Sequence, residues 1–210
     1  MSDGGHTVVG NWSLVNAKRF FDGDADQRGL ERGSVAFVNT HGGISKDRHR
    51  VALSMYETET YAWTHDMYLG NESVGLSIFA AYACDTLKQL TTKPDNKADW
   101  AAIHDNFDST FRGGLRVFLG STDVFFSAWT TSEVGEDFAD QLREGRLVID
   151  AWGDSTQDWA LDHYPAGMTS GRNNDDAAER LDSMTLQNFS TFGRLRDENV
   201  KRFSYAKWVD

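Results

Sequence analysis

Apolar residues along the chain fall first into short, nearly continuous runs. Such runs occur within Val35–Val38, Ile78–Ala83 and Gly114–Val124. An unbroken apolar run of this length is typical of a strand that is covered on both faces. We therefore predict three buried strands. A further strand is expected within His6–Val15, and Arg50–Trp63 fits either an outer strand or a loop.

Other stretches have the period of an amphipathic helix. Lys97–Phe111 has helical spacing, and Val134, Phe138 and Leu142 recur every four residues. Gly145 is suited to end the second of these helices. Further helical periods follow after Arg146 and within the polar stretch that precedes Met184.

Strands that alternate with helices indicate a mostly parallel central sheet with helices on both sides. The 210 residues suit one such domain. We predict a single three-layer α/β domain with a core at about residues 34–165. The apolar pattern weakens after Tyr164, so residues 166–210 are expected to form a C-terminal extension.

One histidine and the only cysteine directly follow two of the predicted strands. His41 comes after the first strand and Cys84 after the second. Ligands bind beyond the carboxyl ends of parallel strands, and neighbouring ends lie about 5 Å apart. An imidazole can promote formation of the reactive thiolate or protonate a leaving group. Against this, a lone cysteine in an apolar run is ordinarily core filler.

The motifs around these two residues resemble those of a known family. "NTHGG" and "YACDTL" look like the His-Gly and Ala-Cys blocks of the caspase-like cysteine peptidases, which include caspases, legumain, gingipain and CHAT domains. "GLRVFLGSTDVFFSAWTTSEVGEDFADQLREGRLVIDAW" is similar to the stretch after the cysteine in that group. The resemblance covers about Ser34 to Trp152 and is closest to a bacterial branch of the fold. It implies a caspase-like fold and the activity of a cysteine hydrolase whose substrates are peptides.

The resemblance also implies roles for individual residues. His41 would be the general acid/base and Cys84 the nucleophile, with the amides of Gly42 and Cys84 stabilising an oxyanion. The expected substrate-binding residues lie at or after the ends of the three predicted strands: Gly43, Asp85, Ser121, Thr122, Asp123 and Trp129. An acidic Asp123 would suit a basic substrate side chain, although it can equally be a turn aspartate.

One departure from the family pattern keeps other functions open. Asp85 directly follows the cysteine, and a carboxylate there opposes thiolate formation. The first alternative is an enzyme that acts on a small molecule, such as a cyclase built on the same fold. The second alternative is a binding module without catalysis, because a fold alone does not imply an activity.

Composition and charge limit the partners. With 32 acidic and 21 basic residues the net charge is −11, which argues against nucleic acid and favours neutral or cationic ligands over phosphates. One cysteine excludes an internal disulfide, and no apolar run is long enough for a membrane span. No signal-peptide pattern opens the chain, so a cytoplasmic protein is expected. We expect no cofactor and no metal. Asp22–Asp26 lacks calcium-loop spacing, and His104 with Asp108 fits a solvated helix face.

Overall fold

Eight strands and four α-helices make up the described part of the chain. The computed structural model describes residues 30, 33–44, 51–54, 61–71, 75–88, 97–125, 131–157, 164–196, 199–200 and 202–207. The predicted strand in His6–Val15, the acidic stretch Asp22–Asp26 and Trp129 lie outside these residues. The strands are β1 (Val35–Asn39), β2 (Gly42–Ile44), β3 (Val51–Ser54), β4 (Tyr61–Trp63), β5 (Ile78–Tyr82), β6 (Val117–Ser121), β7 (Pro165–Gly171) and β8 (Arg202–Lys207). The helices are α1 (Lys97–Arg112), α2 (Thr131–Arg143), α3 (Val148–Gln157) and α4 (Asn174–Ser183).

The larger sheet has five strands in the order β1-β5-β6-β7-β8. β1, β5 and β6 are parallel neighbours, β7 runs against β6, and β8 runs against β7. Four of the five strands therefore point in one direction. This confirms the predicted mixed α/β class with a mostly parallel central sheet.

Helices cover both faces of this sheet. On one face, Phe107 and Phe111 of α1 pack with Phe79 and Phe118 of the sheet. On the other face, α2, α3 and α4 contribute buried side chains that pack with alternate residues of β5 and β6: Val134, Phe138, Leu142, Val148, Ile149, Trp152 and Leu181. Both faces of the central strands are thus buried, which explains their continuous apolar sequence.

The predicted helices are present with nearly the predicted bounds. Gly145 follows α2 with φ +86°, a left-handed conformation that glycine adopts without steric cost. α4 begins after Asn173, whose side chain accepts a hydrogen bond from the amide of Asp176 at 2.9 Å. Asparagine is a preferred residue at this position because it satisfies a free backbone N–H.

A small antiparallel sheet, β2-β3-β4, follows the first strand of the large sheet. It resolves the ambiguous stretch Arg50–Trp63, which contributes two short strands. Leu53 of β3 and Ala62 of β4 are buried in the same apolar cluster as α1. The small sheet therefore packs on the α1 side of the fold.

The prediction that residues 166–210 form an extension outside the core is wrong. β7 is buried along its whole length and lies inside the large sheet, and β8 pairs with it over six positions. β7 is built from small residues because helices pack directly on it. A Cβ at Gly167 would lie 2.1 Å from Cδ1 of Ile149, and one at Gly171 would lie 2.3 Å from the amide nitrogen of Ala177.

None of the helices in the described ranges is both long enough and apolar enough to cross a membrane.

Removal of β8 tests its place in the sheet. We expect a chain ending at Val200 to lose roughly 3 kcal/mol or more of unfolding free energy, because Phe203 and Tyr205 pack against the core and the edge of β7 becomes exposed. Urea denaturation followed by tryptophan fluorescence measures this. A chain ending at Lys207 is the matched control. Equal stability of the two chains would show that β8 contributes nothing to the core.

Candidate functional site

The carboxyl ends of β1 and β5 lie side by side. Asn39 and Tyr82 form the last pair of the β1–β5 ladder, and the amide of Thr40 donates to the carbonyl of Tyr82 at 3.3 Å. His41 and Cys84 each lie two residues beyond that last pair. Both residues therefore leave the sheet at the same level on neighbouring strands.

Gly42 brings the backbone after His41 into direct contact with Cys84. A Cβ at Gly42 would lie 2.1 Å from the carbonyl oxygen of Cys84 and 3.0 Å from its amide nitrogen. Gly43 differs, because a Cβ there would have no neighbour within 4 Å. The lack of a side chain at Gly42 thus serves backbone packing, whereas the space at Gly43 is open to a ligand. The His41 side chain is exposed.

The Cys84 thiol is half-buried and points towards the loop after β6. Its Sγ donates to the carbonyl of Phe125 at 3.5 Å. Among the described residues, no backbone carbonyl accepts a hydrogen bond from the Cys84 amide. The Phe125 ring stacks on Tyr82 at 4.4 Å, with 8° between the ring planes. Burial, and in addition the nearby Cys84, raises the pKa of Tyr82.

The turn after Cys84 has an unusual backbone. Asp85 has φ +56° and is the one non-glycine residue with positive φ in the described part of the chain. Its amide donates to the carbonyl of Asp123 at 3.0 Å, and its carbonyl accepts from the amide of Lys88 at 3.1 Å. Aspartate tolerates this conformation better than most residues. Such backbone strain is concentrated at functional sites.

The Lys88 ammonium joins the two aspartates beside the thiol. Its Nζ lies 3.2 Å from Oδ1 of Asp85 and 3.2 Å from Oδ1 of Asp123. Burial acts to lower the pKa of Lys88, but the two carboxylates outweigh it and raise that pKa. Burial acts to raise the pKa of Asp123, but the Val124 amide and Lys88 outweigh it and lower that pKa. One of the two carboxylate charges beside Cys84 is thereby compensated, and the three side chains together keep a net charge of about −1.

Ser121 and Thr122 are buried and hold the end of β6 in place. The Ser121 hydroxyl donates to the carbonyl of Tyr164 at 3.0 Å and accepts from the Asp123 amide at 3.1 Å. The Thr122 amide donates to the same Tyr164 carbonyl at 2.9 Å. Both hydroxyls are therefore occupied within the protein. Of the three residues expected to contact a substrate here, Asp123 alone exposes its side chain appreciably, at 41%.

Three residues of this site were not predicted from the sequence. The Thr86 hydroxyl accepts from the Ser121 amide at 3.0 Å and donates to the Ala83 carbonyl at 3.3 Å, which joins the turn to β6. Lys88 follows Asp85 by three residues, a spacing that brings side chains together in a helical turn. The contact of Phe125 with Cys84 has no signal in the local sequence.

No group of three or more histidine, cysteine, aspartate or glutamate side chains within the described ranges is arranged to hold a metal ion.

The two glycines after His41 offer a matched pair of substitutions. Gly42→Ala should lower the unfolding free energy by roughly 1–3 kcal/mol, because the added methyl group meets the Cys84 backbone. Gly43→Ala should change it by no more than about 0.5 kcal/mol. Chemical denaturation measures both values. Equal effects of the two variants would contradict the close backbone contact.

The Lys88 contacts predict a pH-dependent contribution to stability. Lys88→Met should cost about 1 kcal/mol near neutral pH, since two partly exposed ion pairs are lost. The pKa of Asp123 is lowered in the folded protein. The stabilisation by Lys88 is therefore fully present at pH values above 3.8, the ordinary pKa of aspartate, and is lost as the pH falls through the lower pKa of the folded state. The raised pKa of Lys88 means that the contribution is complete below 10.5 and is lost only at higher pH.

Denaturation of the wild type and of Lys88→Met at neutral and strongly acidic pH checks this. Lys88→Arg, which keeps the charge, is the control. A difference between the wild type and Lys88→Met that stays the same in acid would assign the effect to packing and not to charge.

Comparison with known proteins shows one family. No curated protein and no solved structure matches the chain. A family model described as "Domain of unknown function (DUF6345)" matches residues 16–191, which include β1 to β7 and all four helices. The chain therefore belongs to the DUF6345 family.

Proposed function

We propose that the protein is a cysteine hydrolase with a caspase-like fold, acting on peptides through His41 and Cys84. The observation that carries this proposal is the contact of the Gly42 backbone with the Cys84 backbone, because it brings the two chemically competent residues to one rim of the sheet. The site has the position that ligands take in open sheets, beyond the carboxyl ends of parallel strands.

The proposed mechanism follows from the groups at this rim. Cys84, as the thiolate, attacks the substrate carbonyl carbon, and the proton of the thiol passes to His41. The Cys84 amide, which no described backbone carbonyl occupies, stabilises the oxyanion together with the Gly42 amide. His41 then protonates the leaving amine. Water attacks the thioester that remains, His41 takes its proton, and the acid product leaves as the thiol forms again.

The aspartates beside the thiol bear on substrate preference. A basic substrate side chain that approaches Asp123 would compete with Lys88 for the carboxylate. We therefore infer a weaker preference for arginine and lysine than an unpaired Asp123 would give. Gly43, with open space around it, is the position along which the substrate backbone approaches.

The second candidate is an enzyme that acts on a small molecule. Its support is the aromatic group next to the thiol: Tyr82, Phe125, Phe37 and Trp152. Small-molecule sites are lined by apolar and aromatic side chains with a few polar groups. Because Tyr82, Phe125 and Trp152 are almost fully buried, a ligand would contact this cluster at its edge beside Cys84. Both candidates need a reactive Cys84, whereas a binding module does not.

Thiol reactivity tests the proposal directly, because the chain has one cysteine. We expect folded wild type at neutral pH to be alkylated by iodoacetamide faster than the unfolded chain. His41→Ala should slow this alkylation about tenfold, because the imidazole no longer promotes formation of the reactive thiolate. Mass spectrometry over a pH series gives the rates, and His104→Ala, which removes a histidine of α1, is the matched control.

Measurements of peptide hydrolysis distinguish the peptidase from the enzyme that acts on a small molecule. A fluorogenic peptide library should yield substrates whose hydrolysis Cys84→Ala abolishes. A fast, His41-dependent thiol without peptide turnover would favour the small-molecule candidate. Alkylation at the rate of the unfolded chain, unchanged in His41→Ala, would overturn the dyad.

A further inference from the structure

A second polar cluster lies at the end of the strands opposite to the end that carries Cys84. Arg116 directly precedes β6, Ser77 directly precedes β5, and Arg172 directly follows the reversed strand β7. These positions are the amino-terminal ends of the parallel strands. The cluster is therefore separated from His41 and Cys84 by the length of the strands.

Two buried arginines in this cluster bind consecutive carbonyl groups. Arg116 Nε donates to the carbonyl of Phe192 at 2.7 Å, and Arg180 Nη2 donates to that of Gly193 at 2.9 Å. Arg116 is 5% exposed and Arg180 is 2% exposed. Because the two acceptors belong to neighbouring residues, the two guanidinium groups converge on one short segment.

A third arginine, Arg194, is connected to the same cluster by hydrogen bonds that pass through Ser77. Arg116 Nη1 donates to the Ser77 hydroxyl, which donates to the carbonyl of Gly75 at 3.4 Å. Arg194 Nη2 donates to that same Gly75 carbonyl at 3.1 Å. The hydrogen bonds thus connect three guanidinium groups through backbone and hydroxyl groups that carry no charge.

Among the described residues, positive charge exceeds negative charge around Arg116. Burial, followed by the charges of Arg194 and Arg180, lowers the pKa of Arg116 to about 10. Arg116 therefore stays protonated at neutral pH and is repelled by its neighbours. Within the described part of the chain it pairs with no carboxylate, and Arg180 pairs with Asp176, whose Oδ1 lies 2.9 Å from its Nε. Phenylalanine rings lie 5.4 Å from the Arg116 guanidinium and 6.0 Å from that of Arg180, and they offset only part of the cost of burying these charges.

One donor of the cluster lacks an acceptor. Nη1 of Arg180 is fully buried and has no hydrogen-bond partner among the described residues. A buried donor without a partner is destabilising, and more strongly so when it is charged. Arg172 stands at the exposed side of this group, since a Cβ at Gly193 would lie 3.6 Å from its Nη2. An entry from solvent past Gly193 and Arg172 is consistent with the exposure of both residues.

We propose that Arg116 and Arg180 form a binding site for a phosphate-type oxyanion, with Arg172 at its entrance. Guanidinium groups match the geometry of phosphate and carboxylate oxygens and bind them in pairs of hydrogen bonds. An oxyanion supplies the acceptor that Arg180 Nη1 lacks and neutralises the repulsion among the arginines. Inorganic phosphate and a phosphomonoester share this chemistry.

Thermal unfolding of the full chain, at constant ionic strength balanced with sodium chloride, tests the site. Inorganic phosphate should raise the Tm along a saturating curve, by on the order of 5 °C at about a hundredfold excess over its Kd. Phenyl phosphate is titrated in parallel. A tighter response to phenyl phosphate identifies the end of a larger phosphorylated ligand, and a tighter response to inorganic phosphate identifies the free ion; either supports the site.

Substitutions inside and outside the arginine cluster test whether phosphate raises the Tm by binding there. Arg172→Gln changes an exposed side chain and should weaken the phosphate response several-fold, and Arg180→Gln should abolish it if the variant folds. Arg146→Gln removes an exposed arginine that pairs with Asp154 and should respond as wild type does. A linear response that sodium chloride reproduces, or a saturating one that survives in Arg172→Gln and in folded Arg180→Gln, overturns the proposal.

Discussion

The parallel pairing of β1 with β5 is the constraint on which the candidate site depends. The register that pairs Asn39 with Tyr82 ends both strands at one level, so the next residues of each strand leave the sheet together. A shift of one residue in this register would also turn every side chain of β1 to the opposite face of the sheet. Val38 is the one fully buried residue of β1, and the need to keep it in the core fixes the relative height of His41 and Cys84.

Backbone contacts, more than side-chain contacts, then hold the cysteine turn. Gly42 packs on the peptide of Cys84 from one side, and the Asp85 amide is bound to the Asp123 carbonyl on the other. The carbonyl of Gly120 accepts from the buried indole of Trp152 at 2.9 Å, which fixes β6 against α3 just before the loop that reaches Asp123. The turn is thus positioned mainly by backbone contacts with the core, to which the Thr86 hydroxyl adds its hydrogen bonds with Ser121 and Ala83.

Much of this arrangement could be predicted from the sequence, and the exceptions have physical reasons. Continuous apolar runs marked β1, β5 and β6, and spacing by four marked α2, because burial of large side chains determines those elements. β7 escaped prediction because its burial depends on small size and not on hydrophobicity: Ile149 and Ala177 pack on it so closely that Gly167 and Gly171 have no room for a side chain.

The residues of the candidate site likewise divide into those that the sequence could predict and those that it could not. The positions of His41 and Cys84 follow from where two strands end, which a local pattern can reveal. The contact of Phe125 with the thiol depends on the path of the chain after β6, and no periodicity encodes that path. The family resemblance implies substrate contacts for Ser121 and Thr122, whereas in the structure their hydroxyls donate to the carbonyl of Tyr164, more than 40 residues away.

The net charge of the whole chain is a poor guide to the ligand that binds at one site. A net charge of −11 favours cationic or neutral ligands when it is considered as a property of the whole surface. A bound group, however, interacts with the charges within a few ångströms, since solvent screens those at longer range. At one end of the strands Lys88 bridges two aspartates and compensates one of their charges, and at the other end the buried arginines of the described residues outnumber the carboxylate that pairs with them. An acidic chain can therefore hold an electropositive interior, because desolvation strengthens each remaining charge where the protein excludes water.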